Sequence, residues 1–215
     1  MDPSHARKYS KAEIELAASR LLMKQYPRGI TLPVEIDLIA ERHERVDGIV
    51  TVELLEDKFK VAAILTCKPR GRFDISVDQD TFDYHGARAS FSIAHELGHI
   101  VLHSEVCDSC VSIDDSITLM KRINKAYGFI ERDANYFAGA ILIPQRTLAE
   151  DTAVVYEALV KDIGYDARIV PYRVCSTLAT RYGVSFQPME IRLSEMNLQK
   201  KIISALRLNS PYLDL

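Results

Sequence analysis

What this chain has little of narrows its class before any motif is considered. Only four of its 215 residues are cysteine, namely Cys67, Cys107, Cys110 and Cys175. Only Cys107 and Cys110 form a CxxC, and no second pair completes a zinc ribbon, so these thiols are expected to stay reduced in a loop of a cytoplasmic protein. Nine glycines and eight prolines build no long linker, and neither an internal repeat nor a low-complexity tract is present. No apolar run approaches the length of a membrane span. The polar start from Met1 to Lys8 lacks the apolar core of a signal peptide, which again points to the cytoplasm with no membrane partner. Charge of one sign is lacking too. A net charge of −3 excludes nucleic-acid binding over the whole surface and leaves room only for a local basic patch.

What is present suits a sizeable core, with 47% hydrophobic and 27% charged residues. Ser10-Lys11-Ala12-Glu13 is a capping box that opens a helix ended by Pro27 and Gly29. Pro33 is expected to start a second helix. The stretches Ile49–Leu55, Lys60–Thr66 and Phe73–Asp78 then read as strands, and their closeness in sequence favours a small antiparallel meander. Everything afterwards has helical character. The fold class is therefore α+β, a small antiparallel sheet packed with helices and followed by a helical C-terminal region. A mild break near Pro144 divides a core of residues 1–145 from a region of residues 146–215.

The motif that carries chemistry is His95-Glu96-Leu97-Gly98-His99, an HExxH set in an apolar run from Phe91 to Leu102. Histidines four apart on a helix project from one face, so both imidazoles reach a single metal ion. The glutamate between them is placed to take a proton from a water activated there. A helix this apolar belongs in a core, where unsatisfied imidazoles cost several kcal/mol, and a zinc ion is one way to satisfy them. Hydrogen-bonded core histidines are the bland alternative, but they leave the placement of Glu96 unexplained.

Catalytic zinc takes three protein ligands. His103 completes an i, i+4, i+8 series, yet on a continuous helix it lies ~12 Å along the axis from His95, beyond the reach of one ion with bonds of ~2 Å. The next helical segment, from Glu131 to Pro144, turns Ala134, Phe137, Ala138, Ile141 and Leu142 to one face. Glu131 lies nearer the centre of that face than Asp133 or Asn135. Position alone leaves Glu131 between a ligand and a first-turn acid answering the helix dipole.

Phe91–His103, followed by Glu131-Arg132-Asp133-Ala134-Asn135-Tyr136-Phe137-Ala138 and Ile141-Leu142-Ile143-Pro144, resembles the ImmA/IrrE family of zinc metallopeptidases. Leu32-Pro33-Val34 resembles that family's proline-led N-terminal helix, Arg88 its approach to the motif, and Leu178–Ser185 with Arg192-Leu193 the segment that follows its peptidase core. The resemblance implies a minimal zincin-like core with the metal between two helices. It implies His95 and His99 as zinc ligands, Glu96 as general base and Glu131, the acid four residues before the motif's Asn, as third ligand. Asp133 is a departure, since the family more often has Glu there. Manganese or iron also suits a His₂–carboxylate site. Tyr127, Tyr136, His103, Arg88 and Arg192 are candidate donors to the developing oxyanion, and the strand Phe73–Asp78 is a candidate edge for an extended substrate.

The function so implied is a zinc-dependent endopeptidase that cuts a regulatory protein, such as a helix-turn-helix repressor, in a stress-response or mobile-element switch. Two alternatives stand beside it. One is a DNA-binding regulator, with Leu178–Ser185 as the first helix and turn of a helix-turn-helix and Arg181, Arg192, Lys200, Lys201 and Arg207 for phosphates. Pro188 in the following helix and its few base-reading residues disfavour direct nucleic-acid binding. The other is a non-catalytic metal-bound partner protein, which has no need of Glu96.

Overall fold

A computed structural model of the chain describes residues 6–126 and 128–214. The fold is α+β and divides into two compact units, Met1–Leu142 and Ile143–Leu215. In the first, α1 (Lys11–Gln25) opens on the capping box, with Ser10 Oγ accepting from the Glu13 amide and the Glu13 carboxylate accepting from the Ser10 amide. The second helix, α2 (Ile36–Glu41), begins three residues after Pro33 rather than at it. Strand β1 (Val46–Val52) ends where Leu54 enters the left-handed region at φ 58°, so it starts and stops earlier than the Ile49–Leu55 periodicity suggested. A short α3 (Leu55–Phe59) leads to β2 (Ala63–Lys68). A tight turn through Arg70 and Gly71, both at φ 66°, then reverses the chain into β3 (Arg72–Asp78).

The sheet is not an antiparallel meander. Its order is β1-β3-β2, with β3 antiparallel to β2 and parallel to β1. The tight turn holds β2 and β3 together as a hairpin. The longer β1–β2 connection carries α3, leaving room for β3 to insert between the outer strands. Its central place explains why Ser76 and Asp78 are buried along with Phe73, Ile75 and Val77, instead of alternating with exposure. The candidate substrate edge therefore moves from β3, which is flanked on both sides, to β2.

After α4 (Gln79–Tyr84) comes α5 (Gly86–Cys107), which carries the HExxH. Its backbone departs from helical geometry at His103 (φ −136°, ψ 26°). The polar stretch after it forms α6 (Ile113–Ala126), which packs on β2, and then α7 (Gly128–Leu142) lies along α5. Sheet, α5, α7 and α1 are stacked in that order. Cys107 is the last residue of α5, and both it and Cys110 are buried free thiols rather than members of an open loop. Burial pushes the Cys107 thiol well above its ordinary pKa.

The second unit comprises α8 (Gln145–Ile163), α9 (Val170–Tyr182), α10 (Phe186–Glu195) and α11 (Leu198–Arg207) around Leu148, Tyr156, Val174, Leu178, Met189 and Ile202. Gly183 closes α9 at φ 64°, and Pro188 is tolerated because it sits in the first turn of α10. The exposed residues of α10 are Gln187, Glu190, Ile191 and Ser194, without a cation. Arg192 is 1% exposed and donates through Nε to the Ile143 carbonyl (3.0 Å), so it is not presented to phosphates. Arg181 is paired with Asp151 at 2.8 Å. Among the described residues no helix is long and apolar enough to cross a membrane.

Candidate metal centre

The crossing of α5 and α7 brings distant parts of the sequence together. A Cβ placed on Gly98 would lie 3.1 Å from Phe137 Cδ1 and 3.2 Å from both Cα and the carbonyl oxygen of Ala134. A hydrogen at Gly98 facing the small Ala134 thus permits a close backbone approach. One residue after Gly98 is His99, and three before Ala134 is Glu131. That approach delivers the carboxylate to the histidines.

Among the described residues, His95, His99 and Glu131 form a group whose ligand atoms all lie within 4.8 Å of one another. His95 Nε2 and His99 Nε2 are 3.0 Å apart, His95 Nε2 is 3.3 Å from Glu131 Oε2, and His99 Nε2 is 3.6 Å from Glu131 Oε1. Donors at ~2.0–2.1 Å from one tetrahedral ion stand roughly 3.3 Å from each other. The donor set, two imidazole nitrogens and one carboxylate, fits zinc in both spacing and chemistry.

The electrostatics agree with that donor set. Burial lowers the His99 pKa to about 3, with the neighbouring His95 pushing the same way, so the ring is neutral as metal ligation requires. Burial is the largest influence on His95 and would lower it too, but the Glu131 carboxylate beside it, the Glu96 charge and the Asn135 acceptor together raise it. Glu131 responds in the opposite sense: burial would raise its pKa, and its bond to His95, with the histidines around it, brings it below the usual value. Glu96 is 9% exposed and lines the same cavity. Burial lifts its carboxyl to about 7, with His95 opposing and Glu131 assisting.

Residues 85–194 match the family of the IrrE N-terminal-like domain, a peptidase family, over just over half of the chain. The chain belongs to this family. It is also similar to the HTH-type transcriptional regulator PrpR of Mycobacterium tuberculosis, with 27% identity over 175 residues. That similarity covers 75% of this chain but 32% of PrpR, so the chain spans about a third of that regulator's length.

Asn135 is the site neighbour that sequence reasoning passed over. Its Oδ1 accepts from His95 Nδ1 at 3.1 Å, which turns Nε2 toward Glu131. The signal was there, since Asn135 follows Glu131 by four residues and so shares its side of α7. Asp133 faces the other way. It is 1% exposed, accepts from the Tyr9 amide (3.4 Å) and from Arg132 (2.9 Å), and lies 3.6 Å from His103 Nε2. The remaining candidate oxyanion donors are engaged elsewhere: Tyr136 donates to Glu15 (2.9 Å), Arg88 to Glu56 (2.6 Å) and Arg192 to Ile143. Tyr127 lies outside the described residues.

Proposed function

We propose that this chain is a zinc-dependent endopeptidase that cuts a regulatory protein, such as a helix-turn-helix repressor, in a stress-response or mobile-element switch. The observation that carries the reading is the convergence of His95, His99 and Glu131 in one cavity with the buried Glu96. Membership of a peptidase family supports the reaction class. The likeness to a protein named as a transcriptional regulator supports a place in gene control. We assign the metal to His95, His99 and Glu131, the proton to Glu96, and the location to the cytoplasm, beside such a repressor.

Bound there, zinc supplies Lewis acidity toward a water and a peptide carbonyl. The chain's own residues do the rest. His95 and His99 present Nε2 lone pairs, Asn135 holds the His95 ring in the tautomer that does so, and Glu131 contributes the single negative charge. Glu96 takes the proton from the attacking water and hands it to the departing amine, so the peptide bond breaks with no charged amide leaving. A metal-holding scaffold without turnover needs His95, His99 and Glu131 but not Glu96.

The DNA-binding alternative gains a helical pair, α9 and α10, joined by the Gly183 turn. Yet the exposed residues of α10 carry no cation, and phosphate neutralisation dominates such binding.

The test is incubation of the metal-loaded protein with the repressor encoded nearest its own gene. One discrete cut is expected from the wild type and none from Glu96→Gln, which should keep metal and fold. Survival of that repressor alongside broad degradation of casein would leave the peptidase chemistry standing and remove the specific-regulator reading.

A further inference from the structure

The sheet edge beside the metal centre is already in use. In β2, Cys67 donates its backbone N–H outward to the Cys110 carbonyl at 2.6 Å, whereas Ala62 accepts inward from Asp78 at 2.9 Å. By the alternation of an antiparallel pair, the backbone groups of Ala63, Leu65 and Cys67 therefore point away from β3, along the free edge. The Leu65 carbonyl on that edge accepts from Ser116 Oγ of α6. These two bonds, one to a backbone carbonyl and one to a hydroxyl, occupy groups that an extended peptide would pair with in strand addition.

The same segment narrows the space above the metal ligands. Ala63, Ile64 and Leu65 share a cavity with His95, Glu96, His99 and Glu131, and Leu119, Met120 and Ile123 of α6 form its far wall. The cavity holds about 60 Å³, against roughly 300–1,000 Å³ for sites that take a small molecule. A peptide backbone with its side chains does not fit beside α6.

The build of α6 suits a part that detaches whole. It carries its own cap: Ser112 Oγ accepts from the Asp115 amide (3.2 Å), and the Asp115 carboxylate accepts from the Ser112 amide (3.1 Å) and hydroxyl (2.7 Å). The helix is strongly amphipathic, with Ile117 against Leu55 and Ile64, and Leu119 and Ile123 against Val106 and Ile130. Among the described residues, the apolar contacts of α6 with the body lie on that inner face.

We propose that the Cys110 turn and α6 form a built-in lid that holds the β2 edge in place of substrate, so the enzyme is latent until an extended segment of its target displaces them. The incoming strand takes over the Cys67 N–H and the Leu65 carbonyl, and α6 swings away with its cap intact. This rests on the endopeptidase reading, and it adds that cleavage is limited by release of α6 and that the target must supply an unfolded, strand-forming stretch.

The experiment uses the zinc-loaded chain and a triple variant, Ser116→Ala, Leu119→Ala and Met120→Ala, checked for helicity and zinc content. The probe is a dipeptidyl hydroxamate with aliphatic side chains. Binding is measured by calorimetry, and backbone exposure by hydrogen–deuterium exchange over residues 113–126 and 63–68. The lid predicts at least tenfold tighter binding by the variant. It also predicts faster exchange of 113–126 on adding probe to either protein, while 63–68 remains protected by its new partner. Equal affinity with 113–126 unchanged by probe overturns the lid and leaves the peptidase reading intact. No binding to either zinc-loaded protein overturns the peptidase reading and the lid with it.

Discussion

Helices α5 and α7 carry two histidine–carboxylate constellations within two turns of each other, and they are built for opposite ends. In one, His95, His99 and Glu131 point three donor atoms at a common centre, and all three side chains keep some access to solvent. In the other, His103 and Asp133 are fully buried, 3.6 Å apart, with Asp133 already bonded to Arg132 and to the Tyr9 amide. Both His103 ring nitrogens lack a hydrogen-bond partner among the described residues. Burial lowers the His103 pKa against the pull of Asp133, so the contact is that of a neutral ring beside a charge satisfied by other groups. The same residue types thus give a candidate metal site where donors converge with nothing else to bond. They give a structural tie where the acid is spent on an arginine and a backbone amide.

The sharpest way to break that contrast is to remove one acid at a time. Glu131→Ala, like His95→Ala or His99→Ala, should take zinc from about one per chain to near zero at equimolar metal, measured by elemental analysis after gel filtration. Asp133→Ala should leave zinc affinity within a few-fold but cost about 1–2 kcal/mol of stability in urea unfolding, because the Tyr9 amide and the exposed Arg132 both lose their acceptor. Reversed results would exchange the roles assigned to the two constellations.

A smaller effect is expected from the residue that orients a histidine. Asn135→Ala should weaken zinc binding by roughly 10–100-fold, since His95 then loses the acceptor for its Nδ1 proton. Competition with a chelator of known affinity reads this directly, and affinity equal to wild type would show that the ring is held by packing alone.

The helix crossing itself comes next. Gly98→Ala puts a methyl 3.2 Å from the Ala134 backbone, which can yield only by moving α7. A loss of about 1–3 kcal/mol is expected from overpacking, with weaker zinc binding because Glu131 rides on the displaced helix. Stability falling while zinc affinity stays unchanged would show that the helices slide without separating.

The smallest effect lies away from α7, at Asp78. Burial would raise its carboxyl, but the Glu56 and Thr81 amides donate to it at 2.9 and 3.0 Å and hold its pKa below the ordinary value of 3.8. A lowered native pKa contributes stability above the unfolded value, and that contribution is lost as pH falls through the native one. Asp78→Asn should therefore be about 1 kcal/mol less stable than wild type at neutral pH, with the difference shrinking below pH 3.8. Thermal unfolding from pH 3 to 7 checks it, and a gap that does not change with pH would refute the charge argument.

Legibility followed sequence distance. Ser10 and Glu13 announced the start of α1 because capping is settled within one turn, and His95 and His99 shared a face because 3.6 residues per turn requires it. The sheet order could not be read in the same way. Three apolar strands close in sequence say nothing about which one is central, and it was the Arg70–Gly71 turn and the α3 connection that put β3 there. Nor did the polar stretch after Cys107 reveal that α6 would cover the β2 edge, since its charges face outward while Leu119 and Ile123 face in.

By itself the sequence determined the HExxH pair, the α+β class and the family, because each depends on residue type and short-range spacing along a helix or strand. Only the tertiary structure decided which acid stands beside the histidines, why Asp133 does not, and what occupies the neighbouring strand edge. Glu131 and Asp133 are two residues apart on one helix, and a rotation of about 200° between them turns one toward His95 and the other toward His103. That choice rests on how closely α7 can approach α5 at Gly98 and Ala134, a contact across 36 residues of chain that no local pattern encodes.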